Sequence, residues 1–233
     1  MCKKVLFGVM ACLVMQSCVS SYDSVYNAVY DVKLISVESP KDAKVPYGAR
    51  IVCDVDNMVR DVYEDDYIRI YWDVSSKYLR FNLRNKTNYT LKINWDDISY
   101  VDEYGFTGNI IHSGVKYVDK NKPQSSISVP RGASVCDVLV PVDNIVYVNG
   151  QWIESELVKS SYKNLEEFET LKERNVGLYI QILFPVLIEN VQNDYIFNFK
   201  INDIKRASND ECNSDYKINE GLTKHQDIYY NNF

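Results

Sequence analysis

The sequence predicts an all-β protein in which two antiparallel sheets pack as a sandwich and one short helix lies in a crossover connection. Apolar and polar residues alternate with a period of two in several short segments, for example at Leu79, Phe81 and Leu83. This period places one side of a strand against a core. Turn-forming residues separate the segments at short intervals, which is typical of two-sheet folds. Only one segment carries a helical pattern with signals at both ends.

Two kinds of segment support the strand predictions. Clean alternation marks 68–72, 79–83, 91–95 and 195–201. Apolar and β-branched runs mark 29–37, 50–55, 98–101, 106–111, 135–140, 146–148 and 178–184. The polar sequence Asn85-Lys86-Thr87-Asn88 is predicted to close one hairpin, and Asp102-Glu103-Tyr104-Gly105 is predicted to close another.

The single predicted helix follows Asn164, which can cap its first turn. Glu167 stands at the third helical position, as in a capping box, and Asn175 with Gly177 can end the helix. The apolar face is predicted to consist of Leu165, Phe168 and Leu171. We expect this helix to pack on one end of the sandwich.

The first eighteen residues have the pattern of a bacterial secretion signal. Lys3 and Lys4 precede an apolar run from Val5 to Met15, which is too short to cross a bilayer as a helix. The sequence Met15-Gln16-Ser17-Cys18 resembles the lipobox of bacterial lipoproteins, whose cysteine is lipidated and becomes the first mature residue. We therefore predict a signal peptide over 1–17 and lipidation of Cys18.

Two alternatives to this cleavage point exist. Residues 9–12 form a second box ending at Cys12, but they leave a very short apolar core, and ordinary cleavage near Ser20 would leave no lipid. With Cys18 lipidated, the domain would be held at a membrane by its acyl chains, since one chain alone binds only reversibly and lipoproteins carry two or three.

Charge and length limit the remaining function classes. The chain has 26 basic and 32 acidic residues, and its formal charge of −6 becomes 24 − 32 = −8 once Lys3 and Lys4 leave with the signal. No basic stripe is present, so nucleic acid is not an expected partner. We divide the mature chain into a tether over 18–27, a β-sandwich domain over 28–204 and a polar, flexible tail over 205–233.

Two cysteines fall in predicted strands. Cys53 alternates in phase with Ile51 and Val55, and Cys136 alternates in phase with Val138 and Val140, so both thiols are predicted to face the core. A disulfide between Cys53 and Cys136 would stabilise the fold by roughly 4 to 5 kcal/mol in the chain-entropy model. The alternative is two buried thiols that act as small apolar side chains.

Aromatic residues are the main candidates for a binding surface. The chain has 19 tyrosines and 3 tryptophans, and aromatic rings on a rigid sheet can stack on sugar rings or pack against proteins. The candidate aromatic surface consists of Tyr71, Tyr78, Tyr104 and Tyr117. Because tyrosine is also a favoured strand residue, most of the other tyrosines are interpreted as structural.

Motifs for catalysis, metal ions and cofactors are absent from the sequence. The two histidines, His112 and His225, lie 113 residues apart and outside any metal-binding spacing. Ser113 follows His112 directly, and neighbouring side chains on a strand point to opposite sides, so the two are not predicted to act as nucleophile and base. No catalytic residue, metal site or cofactor is predicted.

Several segments together resemble a known group of proteins. The resemblance is carried by 81–88, 93–97, 101–105, 111–117 and 128–132, which cover about a third of the chain. These segments resemble a group of uncharacterised β-sandwich lipoproteins of Bacteroidota. The resemblance implies an Ig-like sandwich in the cell envelope, and it implies no activity and no functional residues.

These observations lead to one expected function. We expect a lipid-anchored cell-envelope protein, at the outer membrane, that acts as a non-enzymatic binding or interaction module for a glycan or an envelope protein. A structural component of an envelope assembly is the alternative, and a carboxylate-based hydrolase is a third reading. The sequence leaves open whether the protein faces the periplasm or the cell surface.

Overall fold

A computed structural model describes residues 25–38, 51–55 and 58–207, with the backbone alone for 51–55 and 58–60. The signal peptide, Cys18, Cys212 and residues 208–233 lie outside the described residues. The strands of the described part are β1 (Tyr26–Glu38), β2 (Ile51–Val55), β3 (Met58–Glu64), β4 (Ile68–Val74), β5 (Leu79–Asn85), β6 (Leu91–Ile93), β7 (Ser99–Val101), β8 (Thr107–His112), β9 (Ile127–Val129), β10 (Ser134–Pro141), β11 (Ile145–Val148), β12 (Gln151–Glu154), β13 (Ser161–Tyr162), β14 (Tyr179–Ile188) and β15 (Val191–Arg206). The helix α1 spans Leu165–Asn175.

Most of these strands form one antiparallel sheet. Its order is β13-β1-β15-β14-β7-β8-β10-β5-β4-β3-β2, with β6 paired to β14 and β9, and β11 and β12 form a separate two-stranded sheet. The prediction of an all-β protein with one helix is confirmed. β1 pairs with β15 from Ala28 to Glu38, and the register shifts twice, between Asp31 and Val32 and between Leu34 and Ser36.

The strand β8 lets the sheet curl around its core. Its first half, Thr107–Asn109, pairs with β7, whereas its second half, Ile110–His112, pairs with β10. A strand that changes partners in this way forms a corner between two layers. As a result, β4 and β5 lie across the core from β14 and β15.

Aromatic side chains from the two halves of the sheet meet at Trp72. The ring centroid of Trp72 in β4 lies 5.1 Å from that of Phe197 and 5.6 Å from that of Phe199, both in β15. Phe184 of β14 lies 6.0 Å from Trp72 and 5.1 Å from Phe81 of β5. These large buried rings account for much of the apolar area removed from water, so they stabilise the contact between the layers.

One of the two predicted hairpins is confirmed and the other is wrong. Residues 102–105 join β7 and β8, which pair with each other. Residues 85–88 do not close a hairpin, since β5 pairs with β4 and β10 while β6 pairs with β14 and β9. The side chain of Asn85 is fully buried and donates to the carbonyls of Tyr89 and Val129. These bonds direct the chain after β5 away from β5 and toward β6, which pairs with β14 and β9.

The helix forms as its end signals predict. The Asn164 side chain accepts a hydrogen bond from the Glu167 N–H at 2.9 Å, and Glu167 accepts one from the Lys163 N–H at 2.8 Å. Phe168 and Leu171 are buried, but Leu165 is 59% exposed, so its predicted place on the buried face is wrong. Leu165 is the first helical residue, and only the later Phe168 and Leu171 join the core.

The predicted orientation of Cys136 is also wrong. Cys136 lies on an exposed side of β10, whereas Val135 and Leu139 enter the main core. The apolar alternation does not identify the core side of β10, because this strand carries apolar residues on both sides. Val138 and Val140 pack in a second, smaller cluster with Ile111.

The strand order does not support a bridge between Cys53 and Cys136. The backbone of Cys53 lies in β2, and its side chain lies outside the described residues. β3, β4 and β5 separate β2 from β10, which corresponds to roughly 19 Å across four strand spacings. Bridged cysteines have Cα atoms within about 7 Å of each other.

Candidate functional site

The β11–β12 hairpin forms from a short and strongly specified sequence. Asn149 and Gly150 connect its strands with φ values of 51° and 83°. Two consecutive residues in this region form the turn type whose twist matches a hairpin, and Asn-Gly is the preferred pair. The apolar run predicts the strand at 146–148 but not its partner, and Asn149-Gly150 between apolar runs is the sequence signal that identifies the hairpin.

The base of the hairpin is fixed to the domain. Ile145 is fully buried and packs with Ile111, Val140 and Val142. Lys120 donates from Nζ to the backbone carbonyls of Val142 at 2.9 Å and Ile145 at 2.5 Å. The hairpin therefore extends from a rigid attachment, and its outer part carries the exposed residues.

Beyond this base, both faces of the hairpin are apolar and exposed. On one face Tyr147 stands opposite Trp152, and on the other Val146 stands opposite Ile153. The exposed fractions are 39% for Val146, 60% for Tyr147, 42% for Val148, 39% for Trp152 and 46% for Ile153. A two-stranded hairpin with little apolar packing on its faces is only marginally stable in water, and contiguous exposed apolar residues mark interaction surfaces.

Three rings and one carboxylate form the aromatic face. The Trp152 ring centroid lies 5.0 Å from that of Tyr147 and 6.4 Å from that of Tyr117. The Tyr117 hydroxyl donates to Glu154 at the base of β12. Burial and the neighbouring Glu154 carboxylate raise the pKa of Tyr117, so this hydroxyl stays protonated and continues to donate.

The predicted aromatic residues lie in three different places. Tyr71 and Tyr78 are half-buried, and the guanidinium carbons of Arg69 and Arg80 lie 5.0 Å and 4.9 Å from their respective ring centroids. Tyr104 is 74% exposed in the turn between β7 and β8. Tyr117 alone belongs to the hairpin surface, and the exposed rings beside it come from Tyr147 and Trp152.

A polar cluster lies where β8 ends, apart from the aromatic residues. The Asp137 carboxylate lies 3.2 Å from His112 Nδ1 and accepts from the Ser113 hydroxyl at 2.7 Å, while the His112 ring stacks on Trp95 at 4.5 Å. The prediction that His112 and Ser113 point to opposite sides is wrong, since β8 ends at His112 and Ser113 already lies in a turn. Both side chains bind the same carboxylate, and Ser113 does not donate to His112, so the pair lacks the bond that activates a nucleophile.

Two opposing effects act on the pKa of Asp137. Burial raises it, whereas hydrogen bonds from His112, Ser113 and the Val138 N–H lower it, and the lowering prevails. The carboxylate is therefore ionised at neutral pH and holds the end of β8 against β10.

Comparison of the chain with family models, with curated proteins and with solved structures gives no match. In the part of the chain that the structure describes, no three or more His, Cys, Asp or Glu side chains come together as a metal site would require. No helix within the described ranges has the length and hydropathy needed to cross a membrane.

Proposed function

We propose that this protein is a lipid-anchored binding module of the bacterial cell envelope, without enzymatic activity, and that the β11–β12 hairpin contacts a protein partner. The observation that supports the proposal is the hairpin itself, with exposed apolar side chains on both faces. A sugar ring would fit the aromatic face, but Val146 and Ile153 on the opposite face favour a protein, because aliphatic side chains gain most from packing against apolar groups.

The charges around the hairpin specify the chemistry of the partner. Within residues 145–154 Glu154 is the only charged residue, and Asp143 is exposed just before β11. Lys120, the neighbouring cation, has its ammonium bound to backbone carbonyls. The complementary partner surface is therefore an apolar groove with basic residues at its rim.

The proposed anchor agrees with the position of the first strand. If Cys18 carries the lipid, residues 19–25 separate it from β1, which begins at Tyr26. Seven residues span at most about 25 Å, so the domain would lie close to the outer membrane. We also propose that the curled sheet is an Ig-like sandwich of the type found in the Bacteroidota lipoproteins that the sequence resembles.

Site-specific photo-crosslinking tests the hairpin. A benzophenone amino acid at Val148 of the full-length chain, expressed in the organism of origin, is expected to give one discrete protein adduct. The matched control at Val191, which is 62% exposed at the start of β15, next to the β14–β15 turn, should give none. The double variant Trp152→Ser, Ile153→Ser should reduce the Val148 adduct at least tenfold.

The products separate the candidate functions. A heterologous protein adduct supports the proposal, whereas a carbohydrate adduct, or equal labelling from Val148 and Val191, contradicts it. An adduct between two copies of the chain would instead favour the structural-assembly alternative, which the aliphatic face of the hairpin also suits. Mass spectrometry of the mature N-terminus tests the anchor separately, with acylated Cys18 expected and an unmodified later residue as the refuting result.

A further inference from the structure

A recess of about 290 Å³ opens on the outer side of the sheet. It exists because β6 and β7 both pair with β14 but leave a gap between them. β7 pairs with Gln181–Leu183 and β6 pairs with Leu187–Ile188, while the chain between β6 and β7 turns away as a 3₁₀ turn at Trp95–Asp97.

Pro185 occupies β14 at this gap. Proline has no backbone N–H, so the missing neighbour strand leaves no unpaired donor there. The side chains of Pro185 and Leu187 form an apolar wall of the recess. The gap is therefore compatible with the backbone chemistry of β14. Pro185 is buried at the floor of the recess, and the half-buried Leu187 supplies the apolar surface that a ligand can reach.

The remaining wall is polar and uncharged as a whole. It consists of Lys92, Asn94, Asp97, Gln124, Ser126 and Gln192. This set supplies ammonium, amide and hydroxyl donors together with carboxylate and amide acceptors. One cation and one carboxylate face the space, so neither a strongly anionic nor a strongly cationic ligand is favoured.

Some of these side chains are held in place by the fold. Gln124 donates to the Ile110 carbonyl at 2.8 Å and accepts from the His112 N–H at 3.2 Å. Asn94 donates to Asp97 Oδ2 at 2.9 Å. Fixed side chains lose less conformational entropy on binding, so they lower the cost of ordering the site around a ligand.

Other groups in the recess still have hydrogen-bonding capacity. Within the described residues, the Lys92 ammonium and the Ser126 hydroxyl have no hydrogen-bond partner, and Asp97 uses only one carboxylate oxygen. Gln192 donates its amide N–H to Asp194 at 2.8 Å and keeps its carbonyl oxygen available.

We propose that this recess binds one neutral sugar ring. Hydroxyl groups both donate and accept, which matches the mixed wall, and the C–H face of a pyranose fits against the half-buried Leu187 beside Pro185. The volume equals that of roughly ten water molecules at about 30 Å³ each, which suits one ring. No residue of the hairpin lines the recess, and this proposal does not depend on the proposed protein partner.

Saturation-transfer NMR tests the proposal on the full-length chain, in a detergent without a sugar head group. The probes are the methyl pyranosides of glucose, galactose, mannose and N-acetylglucosamine, with glucuronate and protonated glucosamine as charged comparisons. We expect at least one neutral pyranoside to give a saturable signal with a millimolar dissociation constant, strongest for the C–H protons of one ring face.

Two variants assign the signal to the recess. Ser126→Trp fills the space and should weaken binding at least tenfold, whereas Ser134→Trp, at an exposed serine of β10, should leave it unchanged. Gln192→Ala removes one acceptor from an exposed position and should weaken binding three- to tenfold. No saturable signal from any neutral pyranoside, tighter binding of a charged sugar, or full binding by Ser126→Trp would overturn the proposal.

Discussion

The side chain of Asn85 is expected to contribute more to stability than any surface polar residue of the same loop. It is fully buried, and its amide donates to the carbonyls of Tyr89, Val129 and Pro130 at 2.7, 3.0 and 3.1 Å. Its oxygen accepts from the N–H and the hydroxyl of Thr87, both at 2.8 Å. The Asn85 side chain thus connects the loop after β5 to the end of β9.

The substitution Asn85→Asp preserves the shape and removes the donor. The new oxygen would face three carbonyl oxygens about 3 Å away, while the bonds from Thr87 would remain. Each lost hydrogen bond removes about 1 kcal/mol, and a buried unpaired group costs about 1 to 3 kcal/mol. We therefore expect the free energy of unfolding at pH 7 to fall by about 3 to 5 kcal/mol.

Urea unfolding followed by tryptophan fluorescence measures this loss, since Trp72 and Trp95 are buried. The control Asn88→Asp makes the same charge change at an exposed position of the same loop and should change stability by less than about 0.5 kcal/mol. A loss below about 1 kcal/mol for Asn85→Asp, or equal losses for the two variants, would refute the reasoning.

The pH dependence of Asn85→Asp provides a second check. Burial beside carbonyls raises the pKa of the new carboxyl in the folded state above its unfolded value of about 3.9. Such a group destabilises the fold increasingly as pH rises above the unfolded pKa. The variant should therefore recover part of its stability near pH 4.

Two further predictions concern the cluster at the end of β8. A Cβ at Gly114 would lie 2.7 Å from His112 Cε1, so Gly114→Ala should displace the His112 ring from Trp95 and lower the free energy of unfolding by about 1 kcal/mol. In the control Gly108→Ala the new Cβ would meet its nearest atom at 3.4 Å, so the melting temperature should change less. The folded pKa of Asp137 is lowered from 3.8, so the ionised carboxylate contributes to the free energy of unfolding above that value, and this contribution is lost as pH falls through the folded pKa. In urea titrations, the stability difference between wild type and Asp137→Asn should therefore shrink below pH 3.8. A difference that stays constant with pH would contradict this assignment.

Local sequence patterns predicted the positions of the strands and the helix better than they predicted which strands pair. The alternation at 79–83 and 195–201 placed the correct side of each strand in the core, and Asn164 and Glu167 marked the start of the helix. Asn85 shows the limit of such patterns. Its residue type suggests an exposed turn, and only the distant carbonyls of Val129 and Pro130 explain its burial.

The candidate sites depended even more on distant contacts. The sequence predicts Tyr117 as an exposed aromatic residue, but its contacts are made with Trp152 and Glu154, and Trp152 lies 35 positions later in the sequence. The recess required the gap beside Pro185, which arises where two short strands share one long neighbour. No local pattern records such a gap.

The sequence by itself determined the strand character of the chain, the inward side of most strands, the limits of the helix and the signal-like N-terminus, because each depends on neighbouring residues and a fixed period. The tertiary structure decided which strands pair, where β8 changes partners and which apolar residues stay exposed. Those features depend on contacts between residues far apart in the chain. A strand with the same alternating pattern could pair with several other strands, and only the packing of the complete core determines which pairing forms.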